Sequence, residues 1–173
     1  MGGTGRVGGV ASSPNATLRV GGNSSTNAII RPGTFDDETG AFVAGTLTAG
    51  STDQDCTTSF RDYSELRISA TSRGVSRLSV VGAVTITATG TKLTLEAAGC
   101  TPEHVKGGRF RILSATDGIE GDFATIERPR PGWKVIPVMA SREVEDGEGG
   151  VATEDYLAAL DLEITKGTYI FVQ

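Results

Sequence analysis

One histidine, one tryptophan, two methionines and two cysteines are all that the 173 residues contain of these types. With His104 alone, a histidine-rich metal centre is excluded, and any Ser-His-Asp or Cys-His mechanism would depend on that one residue. Two cysteines are too few for a disulfide-dense scaffold or a four-cysteine zinc site. Aromatic residues make up only 6% of the chain, and the apolar residues are mostly small or β-branched, which suits thin cores built from many short strands. No apolar run approaches the roughly 18 to 20 residues of a membrane-spanning helix. The first ten residues lack a basic region followed by an apolar stretch, so no signal peptide is expected, and no membrane anchor or sorting signal is read at the other end. A formal charge of −5 excludes the basic footprint of a nucleic-acid or anionic-membrane binder.

Glycine is abundant instead: 24 of 173 residues, about twice the usual share of roughly 7%. There is no Gly-X-Y period, so a collagen-like rod is excluded. The glycines fall between short alternating segments. Thr17-Leu18-Arg19-Val20, Glu65-Leu66-Arg67-Ile68-Ser69, Ala83-Val84-Thr85-Ile86-Thr87, Lys92-Leu93-Thr94-Leu95-Glu96 and Arg109-Phe110-Arg111-Ile112-Leu113 each alternate apolar with polar residues, the period of strands with one buried face. Similar segments lie at 122–126, 133–139, 157–165 and 168–172. The acidic stretch 141–153, centred on Glu143-Val144-Glu145-Asp146-Gly147-Glu148-Gly149-Gly150, reads as an exposed loop. Residues 1–16 read as a flexible Gly-rich segment, and 17–173 as one all-β domain.

The order of segments carries more than any one of them. Residues 62–69 lead to Gly82-Ala83-Val84-Thr85-Ile86 and then Lys92-Leu93-Thr94-Leu95. Gly108-Arg109-Phe110-Arg111-Ile112-Leu113-Ser114-Ala115 and Gly121-Asp122-Phe123-Ala124-Thr125-Ile126 follow. This order resembles the C-terminal β-solenoid module of bacterial autotransporter passengers and of PEP-CTERM-type exported proteins. The earlier part, from Thr17-Leu18-Arg19-Val20 to Gly45-Thr46-Leu47-Thr48, is similar to autotransporter-associated β-strand repeats. The resemblance implies a short right-handed β-solenoid with a C-terminal β cap, containing Trp133 and Pro129-Arg130-Pro131-Gly132. It also implies a secreted or cell-surface location, and a structural or adhesive role toward extracellular glycans or glycoproteins. A β-sandwich would show the same alternation and is the competing architecture.

Each candidate for chemistry has an ordinary structural reading beside it. Gly3-Thr4-Gly5-Arg6-Val7-Gly8 fits G-x-G-x-x-G, but no strand precedes it and no helix follows, so a dinucleotide site is not expected. Cys100 and His104 are close in sequence but lack a recognisable oxyanion loop. Asp36, Asp37, Asp117 and Asp122 are the carboxylates a hydrolase would use, as an aspartic-type peptidase or a glycosidase acting on glycoprotein such as mucin. Asp36, Asp37, Glu38, Asp53 and Asp55 are the donors a calcium ion would suit. Both sets read equally as solvated turn carboxylates, since aspartate favours turns. Cys56 and Cys100 are either a disulfide pair or two separate buried thiols. No cofactor is implied.

Overall fold

The computed structural model describes residues 2–3, 5–7, 15–22, 27–51, 55–87, 89–147 and 150–166. Sixteen strands follow one another with no helix among these residues. They are β1 (Gly2–Gly3), β2 (Gly5–Val7), β3 (Asn15–Val20), β4 (Ala28–Phe35), β5 (Phe42–Ala44), β6 (Thr46–Ala49), β7 (Asp55–Phe60) and β8 (Ser64–Ala70). The chain continues through β9 (Arg77–Val80), β10 (Val84–Ile86), β11 (Lys92–Ala97), β12 (Gly108–Ala115), β13 (Ile119–Glu120), β14 (Thr125–Glu127), β15 (Trp133–Glu145) and β16 (Val151–Ile164). The protein is all-β, as its alternation predicts.

The strands form three sheets, none of them closed. The first holds β3, β7, β10 and β13, and the second β1, β4, β8, β11 and β14, with β5 beside β4. The third holds β2, β6, β9 and β12, followed by β16 and β15. From β3 to β14 the chain visits first, second and third sheet in turn, and every neighbouring pair along this route is parallel except β4 and β5.

Parallel register stacks like on like. Leu18 pairs with Thr58, Thr58 with Val84 and Val84 with Ile119. Ile30, Leu66, Leu93 and Ile126 form the matching row of the second sheet, and Leu47, Leu78 and Leu113 that of the third. Apart from Ile126, which ends its row exposed, these rows converge on one core, in which Leu66, Leu78, Leu93 and Leu113 are fully buried. Removing such side chains from water supplies the main stabilising term, about 1.5–3 kcal/mol each. Thr58 is the polar member of its row; it is fully buried and its Oγ1 has no hydrogen-bond partner.

The end of the chain closes the third sheet differently. β16 runs antiparallel to β12, and β15 antiparallel to β16. Trp133, at the start of β15, is 1% exposed and seals the core beneath this hairpin. Pro137 lies within β15, the outer strand of the sheet, where its missing N–H denies an incoming strand one ladder bond.

One expectation is corrected here. The acidic stretch 141–153 is exposed but is mostly not a loop: Ser141 pairs with Asp155, Glu143 with Thr153 and Glu145 with Val151. Across the hairpin Ser141 Oγ donates to Asp155 at 2.6 Å and Arg142 pairs with Glu154 at 2.9 Å, so a polar ribbon forms without a core beneath it. In the segment 1–16, Gly2–Gly3 and Gly5–Val7 are strands whose backbones pair with β4 and β6. Residues 1, 4 and 8–14 lie outside the described residues.

Candidate functional site

One interruption breaks the regular order of sheets. β4 pairs with β8 only over Ala28–Ile30, then runs on and folds back through residues 36–41 into β5. The turn is locally determined. Asp36 Oδ1 accepts hydrogen bonds from Thr39 Oγ1 (2.7 Å), Thr39 N–H (2.7 Å) and Glu38 N–H (3.1 Å), while Asp36 N–H reaches the Ala41 carbonyl at 2.8 Å. Thr39, through its hydroxyl and then its amide, holds the Asp36 carboxyl below the usual carboxylate range, with the Glu38 amide adding to it against slight desolvation.

Above the turn, Phe35 and Phe42 pair edge to face with centroids 5.5 Å apart. The Arg31 guanidinium lies 4.0 Å from the Phe42 centroid and 5.4 Å from that of Phe35. Arg31 is itself held by Ser69 Oγ at 3.0 Å and Glu96 at 2.5 Å, so the rings rest on a cation tied to the second sheet. Gly33, at φ +137°, is required: a side chain there would overlap the Phe42 ring and meet the Val43 carbonyl at 2.6 Å. Phe35 remains 56% exposed and Val43 46%, an apolar surface that burial would favour covering.

The hairpin overhangs a cleft of about 520 Å³, bounded by Asp36, Thr39 and Phe42 on one side and by Thr71, Arg73 and Gly74 on the other, with Ala98 and Gly99 between. The opposite wall is a tight turn, in which Thr71 Oγ1 accepts the N–H groups of Arg73 (3.2 Å) and Gly74 (3.1 Å). The Arg73 side chain makes no hydrogen bond or ion pair among the described residues. The cleft therefore offers an aromatic edge, hydroxyls, a fixed carboxylate and a free guanidinium. This is the mixture of apolar platform and sparse polar groups that orients a small polar ligand.

The structure separates most of the residues singled out from the sequence. Of the four carboxylates weighed for catalysis, Asp36 lines this cleft. Asp37 is exposed in the turn beside it. Asp117 lines a cleft of about 320 Å³ with Glu120, Arg142, Glu154 and Tyr156. Asp122, on the far side of β13, lines an apolar groove with Phe123, Val135 and Pro137. The calcium set is not assembled: no three His, Cys, Asp or Glu side chains among the described residues are grouped to hold a metal. Asp36 spends one oxygen on its own turn, Asp55 begins a strand of the first sheet, and Asp53 lies outside the described residues.

The disulfide alternative is also corrected. Both cysteines are free thiols, Cys56 buried on β7 of the first sheet and Cys100 half-buried in the turn that follows β11 of the second. His104 shares a hydrogen bond with Thr101 Oγ1 at 2.9 Å and is exposed, a turn residue rather than a base presented to a thiol. The residues missed were Phe35, Phe42 and Arg73. Two phenylalanines flanking Asp36-Asp37-Glu38-Thr39-Gly40 are a readable hairpin signal, whereas Arg73 reaches the cleft only through the stacking of turns.

No family model, curated protein or solved structure matches this chain.

Proposed function

We propose that this protein is a secreted or surface-displayed module built as a short right-handed β-solenoid, with a structural and adhesive role toward extracellular glycans or glycoproteins. Parallel pairing in three sheets visited in rotation favours a solenoid over the antiparallel layers of a sandwich. The sequence resemblance to exported solenoid modules supports the location. The cleft beneath the β4–β5 hairpin is the binding element in this reading. The observation that carries it is the half-buried Phe42 ring lining the cleft together with Asp36 and Arg73, with the exposed Phe35 packed edge to face against it, since an aromatic ring covers the C–H face of a sugar while neighbouring polar groups take its hydroxyls. The carboxylate-dependent hydrolase has less support, because Asp36, Asp117 and Asp122 line three different clefts.

A panel of neutral and mucin-type glycans tests the adhesive role. Binding by the wild-type chain should fall at least tenfold in Phe42→Ala and in Arg73→Ala, both of which line the cleft and lie outside the core. Failure of every glycan to bind, or binding untouched by both changes, would remove the cleft from the proposal.

A further inference from the structure

The outer face of the third sheet carries a second, unrelated arrangement. Where β12 meets β16, a bulge between Arg111 and Leu113 turns both Ile112 and Leu113 into the core and leaves Arg109 and Arg111 facing outward. Opposite Arg111 stands Asp161, 6% exposed. Arg109 Nε donates to Asp161 Oδ2 at 2.8 Å and Arg111 Nε to Oδ1 at 2.7 Å. Burial pushes the Asp161 carboxyl up, but Arg111 and then Arg109 outweigh it by hydrogen bond and charge and hold it below the usual range.

One guanidinium gripping both oxygens would neutralise this carboxylate. Here two are used, each through Nε alone, and their terminal amino groups make no hydrogen bond among the described residues. The two arginine side chains are 52% and 42% exposed. Lys134 and Glu163 occupy the adjoining register position beside Arg109, neither ion-paired among the described residues. One strand further, Arg77 donates to Ser114 Oγ at 3.0 Å while its buried Nε has no partner. Four cations thus face two carboxylates, a local positive excess on a chain of net charge −5.

We propose that the Arg109 and Arg111 pair, held side by side by Asp161, binds the anionic group of an acidic polysaccharide, a sulfate ester or a uronate carboxylate. The aligned amino groups meet the oxygens of that group while most of the arginines' rotamer freedom is already lost in the unliganded protein. The acidic remainder of the surface selects against densely charged polymers such as nucleic acids and favours a chain whose charges are spaced by sugar units. This site lies apart from the β4–β5 cleft and stands or falls independently of it.

Calorimetric titration of the full chain tests it, with a chondroitin-sulfate-type octasaccharide, an oligogalacturonate and inorganic sulfate as probes. Either oligosaccharide should bind, the arms showing whether sulfate or carboxylate is preferred, and R109Q/R111Q should weaken binding at least tenfold. D161N should also weaken it several-fold, although it raises the net charge by one, because the two guanidiniums lose their common anchor. R109Q/R111Q/D161N removes the buried charge together with its partners, so the fold, monitored by Trp133 fluorescence, is retained and binding stays lost. Phe42→Ala and Arg73→Ala should leave this binding intact. The proposal is overturned if neither oligosaccharide binds, if D161N binds more tightly, if inorganic sulfate binds as well as the oligosaccharides, or if single-stranded DNA of equal length competes equally.

Discussion

Gly82 is where the stacking of one turn on the next can be measured. It lies between β9 and β10, at φ +124°, and a Cβ built on it would stand 2.7 Å from the Cys56 carbonyl oxygen, 2.8 Å from its nitrogen and 3.0 Å from its carbonyl carbon. These are backbone atoms and cannot swing away. The corner is tied below by Cys56 N–H to the Val81 carbonyl (2.6 Å) and Thr58 N–H to that of Ala83 (2.9 Å). It is tied above by Gly82 N–H to Thr116 Oγ1 (2.7 Å) and Asp117 N–H to the Gly82 carbonyl (3.1 Å). Gly82→Ala must therefore open the stack by several tenths of an ångström. Overpacking of this kind costs about 1–3 kcal/mol, and one or two weakened hydrogen bonds add about 1 kcal/mol each. Gly108 is the control: at φ +138°, its nearest atoms are the Phe110 ring at 3.4 and 3.5 Å. Gly108→Ala thus carries only the backbone penalty, about 1–3 kcal/mol and common to both variants. In urea unfolding, Gly82→Ala should be less stable than Gly108→Ala by about 2–5 kcal/mol, the sum of the packing and hydrogen-bond terms. Equal midpoints would refute close stacking of successive turns at this corner.

Three further outcomes are expected. Thr58→Val replaces a fully buried hydroxyl that has no partner with an apolar group of the same shape, so it should stabilise the protein by about 1–2 kcal/mol, read as a higher urea midpoint. Trp133→Ala empties the space beneath the terminal hairpin, where the ring is 1% exposed, and should cost about 3–5 kcal/mol by the same measurement. Because the folded-state pKa of Asp161 is depressed below the ordinary aspartate value of 3.8, its contribution is fully present above that value and is lost as pH falls through the folded pKa. Asp161→Asn should accordingly be less stable than wild type at pH 7, the gap closing only below pH 3.8; a gap constant from pH 7 to 2 would show that the carboxylate's charge is not what stabilises this contact.

Strand character was legible because it is local. Leu93 and Leu95 on β11 alternate with Lys92, Thr94 and Glu96, and a period of two is enough to place a buried row. The segment Glu154-Asp155-Tyr156-Leu157-Ala158-Ala159-Leu160, with some helical tendency, lies wholly within β16 because β15 pairs along it. That pairing partner is set from 12 residues or more away along the chain, beyond any local window. The stretch 141–153 reads as a loop for a related reason: composition counts its charges but not the backbone pairing of Ser141–Glu145 with Val151–Asp155.

Composition and periodicity by themselves determined an all-β protein with one thin aliphatic core and a scarcity of histidine and cysteine, since these follow from which side chains exist and how they alternate. Which side chains meet was decided only in the tertiary structure. Asp36, Asp117 and Asp122 are alike in sequence, yet the stacking of turns sends them to three different clefts, with Asp37 staying beside Asp36. The same stacking brings Arg73 to the cleft beneath Phe42, and the pairing of β12 with β16 sets Asp161 between Arg109 and Arg111, 50 or more residues before it in the chain. Parallel register makes neighbours of residues that are separated by a whole circuit of the chain, and the length of that circuit is not written in any single segment.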